Sequence, residues 1–204
     1  LENLPYLTFL APGLLVATAM QTGAGEGSWK VMGGIKWNQT WKARLASPIG
    51  TTSLVIGHML WSGARVLMVS GIFAVVMAAF RVAPLLESLA TVGPAMLVGV
   101  AMVGITTAFT VRLEDPTGLA MFFRFVVIPM FLFSGVFFPI TNLPGWLQPV
   151  AIVTPLYHSV ELARAIVVGT TPAVAWWVSV VYLSALILAG TVLAIAPIRR
   201  RLTP

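Results

Sequence analysis

The residues of this sequence that could do chemistry are few. The two histidines, His58 and His158, are far apart in the chain, and no cysteine occurs. No segment matches G-x-x-x-x-G-K-[ST] or G-x-S-x-G, so the sequence carries neither the phosphate-binding loop of an ATPase nor the nucleophile turn of a serine hydrolase. We therefore expect a non-catalytic chain without a metal or cofactor of its own.

A polar set stands out near the C-terminal third of the chain. His158, Glu161 and Arg164 follow one another at i, i+3 and i+6, a spacing that would place them along one face of a short helix. They could line a polar vestibule. They could also form a locally satisfied ion pair that lets a short helix lie at an interface, and we favour this second interpretation because exposed pairs are common and weak.

A basic and aromatic segment, QTWKARLASP at positions 39–48, has one apolar and one basic side. Such a pattern is typical of a short helix that lies flat on a membrane surface or docks on a partner protein. The periodicity alone leaves both interpretations open.

The composition of the chain indicates its class. Of 204 residues, 58% are hydrophobic and 9% are charged, and the mean hydropathy is +0.95. So little charge cannot cover a soluble domain, and the chain is predicted to be an all-α integral membrane protein. The formal charge of +6 is therefore explained by orientation in the membrane, and no nucleic-acid partner is expected.

The uncharged blocks predict five membrane crossings within one transmembrane domain that covers 1–204. If the loop 29–59 is cytoplasmic, eight basic residues lie inside and two outside, which fixes the orientation. Arg65 and Arg124 would reach the cytoplasmic interface by snorkelling. The predicted spans are 5–23, 60–80, 89–111, 121–140 and 173–197; the inner basic residues are Lys30, Lys36, Lys42, Arg44, Arg112, Arg199, Arg200 and Arg201, and the outer ones Arg81 and Arg164.

The uncharged block 125–160 is too long for one crossing and is interrupted by prolines at 129, 139, 144, 149 and 155. A second crossing here would move the arginines at 199–201 to the outside, against the charge rule. We therefore predict a single crossing, followed by a segment, 141–172, that dips into the outer leaflet and returns as short re-entrant helices.

Three runs resemble the permease subunit of type-2 ABC exporters: YLTFLAPGLLVATAM at 6–20, QTWKARLASPI at 39–49 and FLFSGVFFPITNLPGWLQPVAIVTPLYHSVELARA at 131–165. Within this family the chain is most similar to the branch of daunorubicin-resistance permeases and the nodulation lipo-oligosaccharide exporter permease. Family members begin with a further cytoplasmic segment and one more span. The resemblance therefore implies six spans in the full chain.

The resemblance also implies a coupling helix at 39–48 that docks on a separate ATPase subunit, which would bind ATP and Mg. It places the re-entrant helices at about 143–168. Related sequences often carry an acidic residue at the position of Lys42, so charge pairing with the ATPase is expected to differ here. The implied coupling residues are Trp41, Lys42, Arg44, Leu45, Ser47 and Pro48.

In this family the second and fifth spans line the transport pathway, which makes Phe122, Phe125, Pro129 and Phe133 candidate substrate contacts; core or lipid-facing packing is the alternative for each. The expected function is efflux of hydrophobic or amphipathic molecules, drug-like or lipid-like, by a dimer of permeases, identical or paralogous, in the bacterial inner membrane. Export of a drug by such a permease would give antibiotic resistance. The alternatives are export of a lipid-linked oligosaccharide or envelope glycolipid, and a membrane assembly protein that transports nothing.

Overall fold

The computed structural model describes residues 6–46, 48 and 50–202, and this part of the chain is helical without a β-strand. The all-α fold class is thereby confirmed. Two π-helical turns, Gly33–Trp37 and Phe123–Val127, and a 3-10 turn, Ile140–Asn142, join the α-helices. The α-helices are α1 Tyr6–Gly27, α2 Trp29–Met32, α3 Thr40–Leu45, α4 Thr51–Ala79, α5 Leu85–Ala90, α6 Val92–Thr110, α7 Thr117–Phe122, α8 Ile128–Phe133, α9 Gln148–Val153, α10 Pro155–Val168 and α11 Trp176–Leu202.

Four helical stretches among the described residues are long and apolar enough to cross a bilayer: Tyr6–Trp37, Thr51–Ala79, Leu85–Thr110 and Trp176–Ile198. The fourth predicted span, 121–140, corresponds to a shorter apolar stretch, Thr117–Phe133. At 1.5 Å per residue it is about 25 Å long, slightly less than the hydrocarbon core. The count of five crossings stays a prediction.

The first helix runs further than the sequence indicated. The predicted span ended at residue 23, but α1 reaches Gly27, and α2 with its π-helical turn extends the helical stretch to Trp37. Glu26 pairs at i, i+4 with Lys30, which lies in the predicted loop 29–59, and this spacing fits a continuing helix. The segment 29–59, which we predicted as a loop, is therefore largely helical, since α4 also begins early, at Thr51.

Helix α6 forms the centre of the bundle and packs against α1, α4, α10 and α11. Glycines set the closest approaches: a Cβ added to Gly23 of α1 would overlap the carbonyl of Gly99 on α6, and Gly104 faces Gly190 of α11. Small residues let helices approach closely where lipid offers no hydrophobic driving force. The arrangement holds α1 and α11 on different sides of α6.

Short helices follow α8 on the predicted outer side. Helix α8 ends at Phe133, and Gly135 adopts a φ of 82°, a left-handed conformation that suits glycine. The Thr154 hydroxyl accepts a hydrogen bond from the Tyr157 amide at the start of α10, and Gly169 ends α10 with a φ of 72°. Helices α9 and α10 are too short to span a bilayer. Both fall within the predicted re-entrant segment.

Candidate coupling and transport surfaces

Helix α3 lies between two long apolar stretches, and Trp41 anchors it. The Trp41 side chain is buried and meets His58 of α4 edge-on, with ring centroids 5.5 Å apart. A side chain at Gly34 would overlap the Trp41 indole. Trp41 therefore joins α3 to both α4 and the helical turn that follows α2.

The basic side of α3 is solvent-exposed. Lys42 and Arg44 are exposed, Leu45 is half-buried against the bundle, and Pro48 is exposed. Ser47 lies outside the described residues. The helix covers Thr40–Leu45, which is shorter than the 39–48 that we expected, and the assignment of these residues to coupling stays a prediction.

An ion cluster surrounds the buried Glu26 at the end of α1, and we did not predict it from the sequence. The Glu26 carboxylate is 4% exposed; its Oε1 pairs with Lys30 and lies 3.1 Å from the Arg65 Nε on α4. Arg65 is the fifteenth residue of α4 rather than an end residue, because α4 begins at Thr51. The i, i+4 spacing of Glu26 and Lys30 was a usable signal, since such pairs mark one helix face.

Three of the four candidate pathway residues share one groove. Phe125, Pro129 and Phe133 line an apolar groove of about 410 Å³ between the Phe123–Phe133 stretch and α9. Phe122 does not join them: its ring stacks on Phe109 of α6, with centroids 4.8 Å apart. Phe125 is 69% exposed, so the groove opens toward whatever covers this face, lipid or protein.

The structure separates the outer polar set. His158 is buried, and its Nδ1 lies 3.0 Å from the Ser179 hydroxyl of α11, with its ring 4.6 Å from that of Tyr182. Burial lowers the pKa of His158 below its ordinary value, which favours a neutral imidazole. Glu161 instead accepts a hydrogen bond from the Ala173 amide. His158 is therefore separated from Glu161 and Arg164.

Arg164 is buried, so the ion pair with Glu161 that we favoured is present but is not an exposed one. Its guanidinium donates to the carbonyls of Phe9, Gly135 and Val136, at 3.2, 2.6 and 3.0 Å, and lies 4.0 Å from Glu161. Burial lowers the pKa of Arg164 to about 10, so the side chain remains a cation at neutral pH. Glu161 and Arg164 also border an outer cavity of about 310 Å³ with Tyr157 and Thr170.

Comparison with known proteins supplies the family. The model of the ABC-2 type transporter family matches residues 4–168. The chain is 25% identical over 203 residues to Nodulation protein J of Rhizobium meliloti (strain 1021), a match that covers 100% of this chain and 77% of the relative.

Two further relatives carry the same name. Nodulation protein J of Rhizobium leguminosarum bv. trifolii is 28% identical over 164 residues, with 80% of this chain and 63% of the relative covered. The protein of R. leguminosarum bv. viciae is 25% identical over 168 residues, with 82% and 65% covered. The chain thus spans slightly less than two thirds of the length of these two relatives.

The resemblance inferred from sequence runs is thereby confirmed, and the four long apolar stretches agree with it. Because the family model matches most of the chain, the chain belongs to the ABC-2 type transporter family and is a multi-pass permease subunit of the bacterial inner membrane, not an enzyme.

Proposed function

We propose that the chain is the permease of an ATP-driven exporter of hydrophobic or amphipathic molecules, powered by a separate ABC ATPase subunit that docks on α3. Membership of the ABC-2 family implies such a partner. The observation that carries the proposal is the form of α3: a short helix fixed to the bundle through buried Trp41, with Lys42 and Arg44 left exposed. A helix that is anchored to the bundle and exposes basic side chains suits docking on a protein that moves.

Force would pass from α3 into the bundle through Trp41. When ATP and Mg bind on the partner, closure of the ATPase subunits would displace α3. The displacement would reach α4 through the Trp41 and His58 rings and reach the end of the first helical stretch through Gly34. A change in the packing of α1 and α4 against α6 could then alternate access between the two sides of the membrane.

The cargo would move along the apolar groove of Phe125, Pro129 and Phe133. Its wall is almost entirely apolar, and this composition selects hydrophobic or amphipathic molecules over ions. The helices that border the groove have faces exposed at the surface of the described bundle. We propose that a second permease subunit, identical or paralogous, covers this face and completes the pathway.

Export of a lipid-linked oligosaccharide or envelope glycolipid is the second candidate. The similarity to Nodulation protein J favours it over drug efflux and antibiotic resistance. The outer cavity beside Glu161 and Arg164 offers both aromatic and polar walls to a sugar group. Membership of a transporter family favours either exporter over the assembly protein.

The test is co-reconstitution of the full-length permease with its ATPase subunit in proteoliposomes. We expect substrate-stimulated ATP hydrolysis and export, and we expect the double variant Lys42→Glu, Arg44→Glu to lose ATPase binding while remaining inserted, because the docking charges are reversed. The matched control is Arg81→Glu, an exposed arginine at the far end of α4. Normal ATPase association of the double variant would overturn the docking assignment.

A separate experiment with the same proteoliposomes distinguishes the two classes of cargo. An amphipathic dye and a lipid-linked oligosaccharide would be offered in competition, and the second candidate predicts that only the oligosaccharide stimulates ATP hydrolysis. Stimulation by the dye alone would support drug-like export instead.

A further inference from the structure

We propose that Lys30 of α2 and Arg65 of α4, which share the Glu26 carboxylate, bind the phosphate group of an anionic lipid in the cytoplasmic leaflet. This site is distinct from the apolar groove and from the docking side of α3, and it does not depend on the identity of the cargo.

The charge balance of the ion cluster favours an anion. One oxygen of Glu26, Oε1, serves both Lys30 and Arg65, so the cluster of two cations and one carboxylate has a net charge of +1. Among the contacts of the described residues, Arg65 reaches Glu26 through Nε. Its two terminal nitrogens form a planar fork whose geometry matches two phosphate oxygens.

Both cations face outward. The side chains of Lys30 and Arg65 are 47% and 44% exposed, whereas Glu26 is buried behind them. Glu26 thus orients the two cations without covering them. Two cations that share one carboxylate oxygen lie near enough to each other to hold one phosphate group.

The depth of the cluster matches the headgroup region. Gly27, next to Glu26, accepts a hydrogen bond from the Thr110 hydroxyl at the last residue of α6. The cluster therefore lies close to the α6 end that the charge distribution assigns to the cytoplasm. An exposed cation inside this boundary is costly unless an anion pairs with it, and basic pockets between helices at this level bind acidic headgroups.

The surroundings suit an amphiphile better than a free phosphate ion. On the Arg65 side of α4, Met68 and Ile72 continue toward the outer leaflet and are exposed, as an acyl chain would require. Trp61, one turn before Arg65, is 64% exposed and suits the interface.

The experiment is a lipid titration of the purified full-length permease, followed by native mass spectrometry, with phosphatidylglycerol and phosphatidylcholine of identical acyl chains. We expect preferential binding of phosphatidylglycerol. Arg65→Gln and Lys30→Gln should each weaken it about fivefold, the effect of one basic residue near an anionic surface. Arg81→Gln is the matched control, since it removes an exposed arginine on the predicted outer side, away from the cytoplasmic leaflet.

Two further variants separate binding from structure. Arg65→Lys retains the charge that pairs with Glu26 but loses the fork, so folding should survive while phosphatidylglycerol binding weakens. Glu26→Gln should strengthen binding, because it removes the carboxylate that competes with the phosphate. Equal binding of both lipids, wild-type binding by Arg65→Gln, weaker binding by Glu26→Gln, or displacement of the lipid by inorganic phosphate would each overturn the proposal.

Discussion

The Arg164 guanidinium lies over the Phe9 ring, with its central carbon 3.7 Å from the ring centroid, while its Nε donates to the Phe9 carbonyl. The same guanidinium bonds to Gly135 and Val136 in the bend after α8. One side chain of α10 therefore holds the outer end of α1 and the bend together. The contact holds α10, a helix too short to span a bilayer, against α1.

Replacement of Arg164 by glutamine should destabilise the permease by about 3 kcal/mol, because hydrogen bonds to charged groups contribute about 1.5–3 kcal/mol each and buried carbonyls lose their donor. The measurement is thermal unfolding in detergent. Arg81→Gln removes an exposed arginine and should leave the midpoint nearly unchanged. Equal midpoints for the two variants would contradict the anchoring role.

The presence of the long helices was predictable from the sequence, whereas the hydrogen-bond partners of the polar residues were not. Long uncharged blocks mark α1, α4, α6 and α11 because a bilayer admits little else. Arg164 bonds to a carbonyl 155 residues earlier in the chain, and carbonyl acceptors carry no side-chain signature in a sequence. The spacing of His158, Glu161 and Arg164 was correct for one helix. Since α10 packs on several neighbours, each residue meets a different one.

Gly23 should tolerate no side chain, because a Cβ there would overlap the carbonyl of Gly99 on α6. We expect Gly23→Val to separate α1 from α6 and to lower both the amount of inserted protein and its unfolding temperature. Gly25→Val is the matched control two residues along the same helix, since nothing lies within 4 Å of its Cβ position. Equal losses for both variants would mean that helix propensity, not packing, is responsible.

Trp41→Ala should separate ATP hydrolysis from transport. Lys42 and Arg44 would remain to bind the ATPase, but α3 would lose its buried contact with His58. We expect ATPase association within a few-fold of wild type, since the docking charges remain, together with loss of export in proteoliposomes. Trp37→Ala removes a tryptophan that is 59% exposed and should retain export. Full export by Trp41→Ala would remove Trp41 from the coupling route.

Single cysteines can test the re-entrant segment, since the native sequence contains none. Asn142 and Thr170 flank α9 and α10 and are exposed, whereas Ser159 is fully buried and donates to the Pro94 carbonyl. In intact cells, a membrane-impermeant thiol reagent should label Asn142→Cys and Thr170→Cys, and should label Ser159→Cys slowly or not at all. Ala43→Cys on exposed α3 is the inner control and should react only after permeabilisation.

The comparison of Asn142→Cys with Thr170→Cys decides whether the segment crosses the membrane. A segment that enters the outer leaflet and returns has both ends on one side, so Asn142→Cys and Thr170→Cys must react under the same condition. If one of them reacts only with Ala43→Cys after permeabilisation, the segment crosses the membrane. Residues 1–204 would then contain six spans instead of the predicted five. The basic residues at 199–201 would lie outside, against the charge rule.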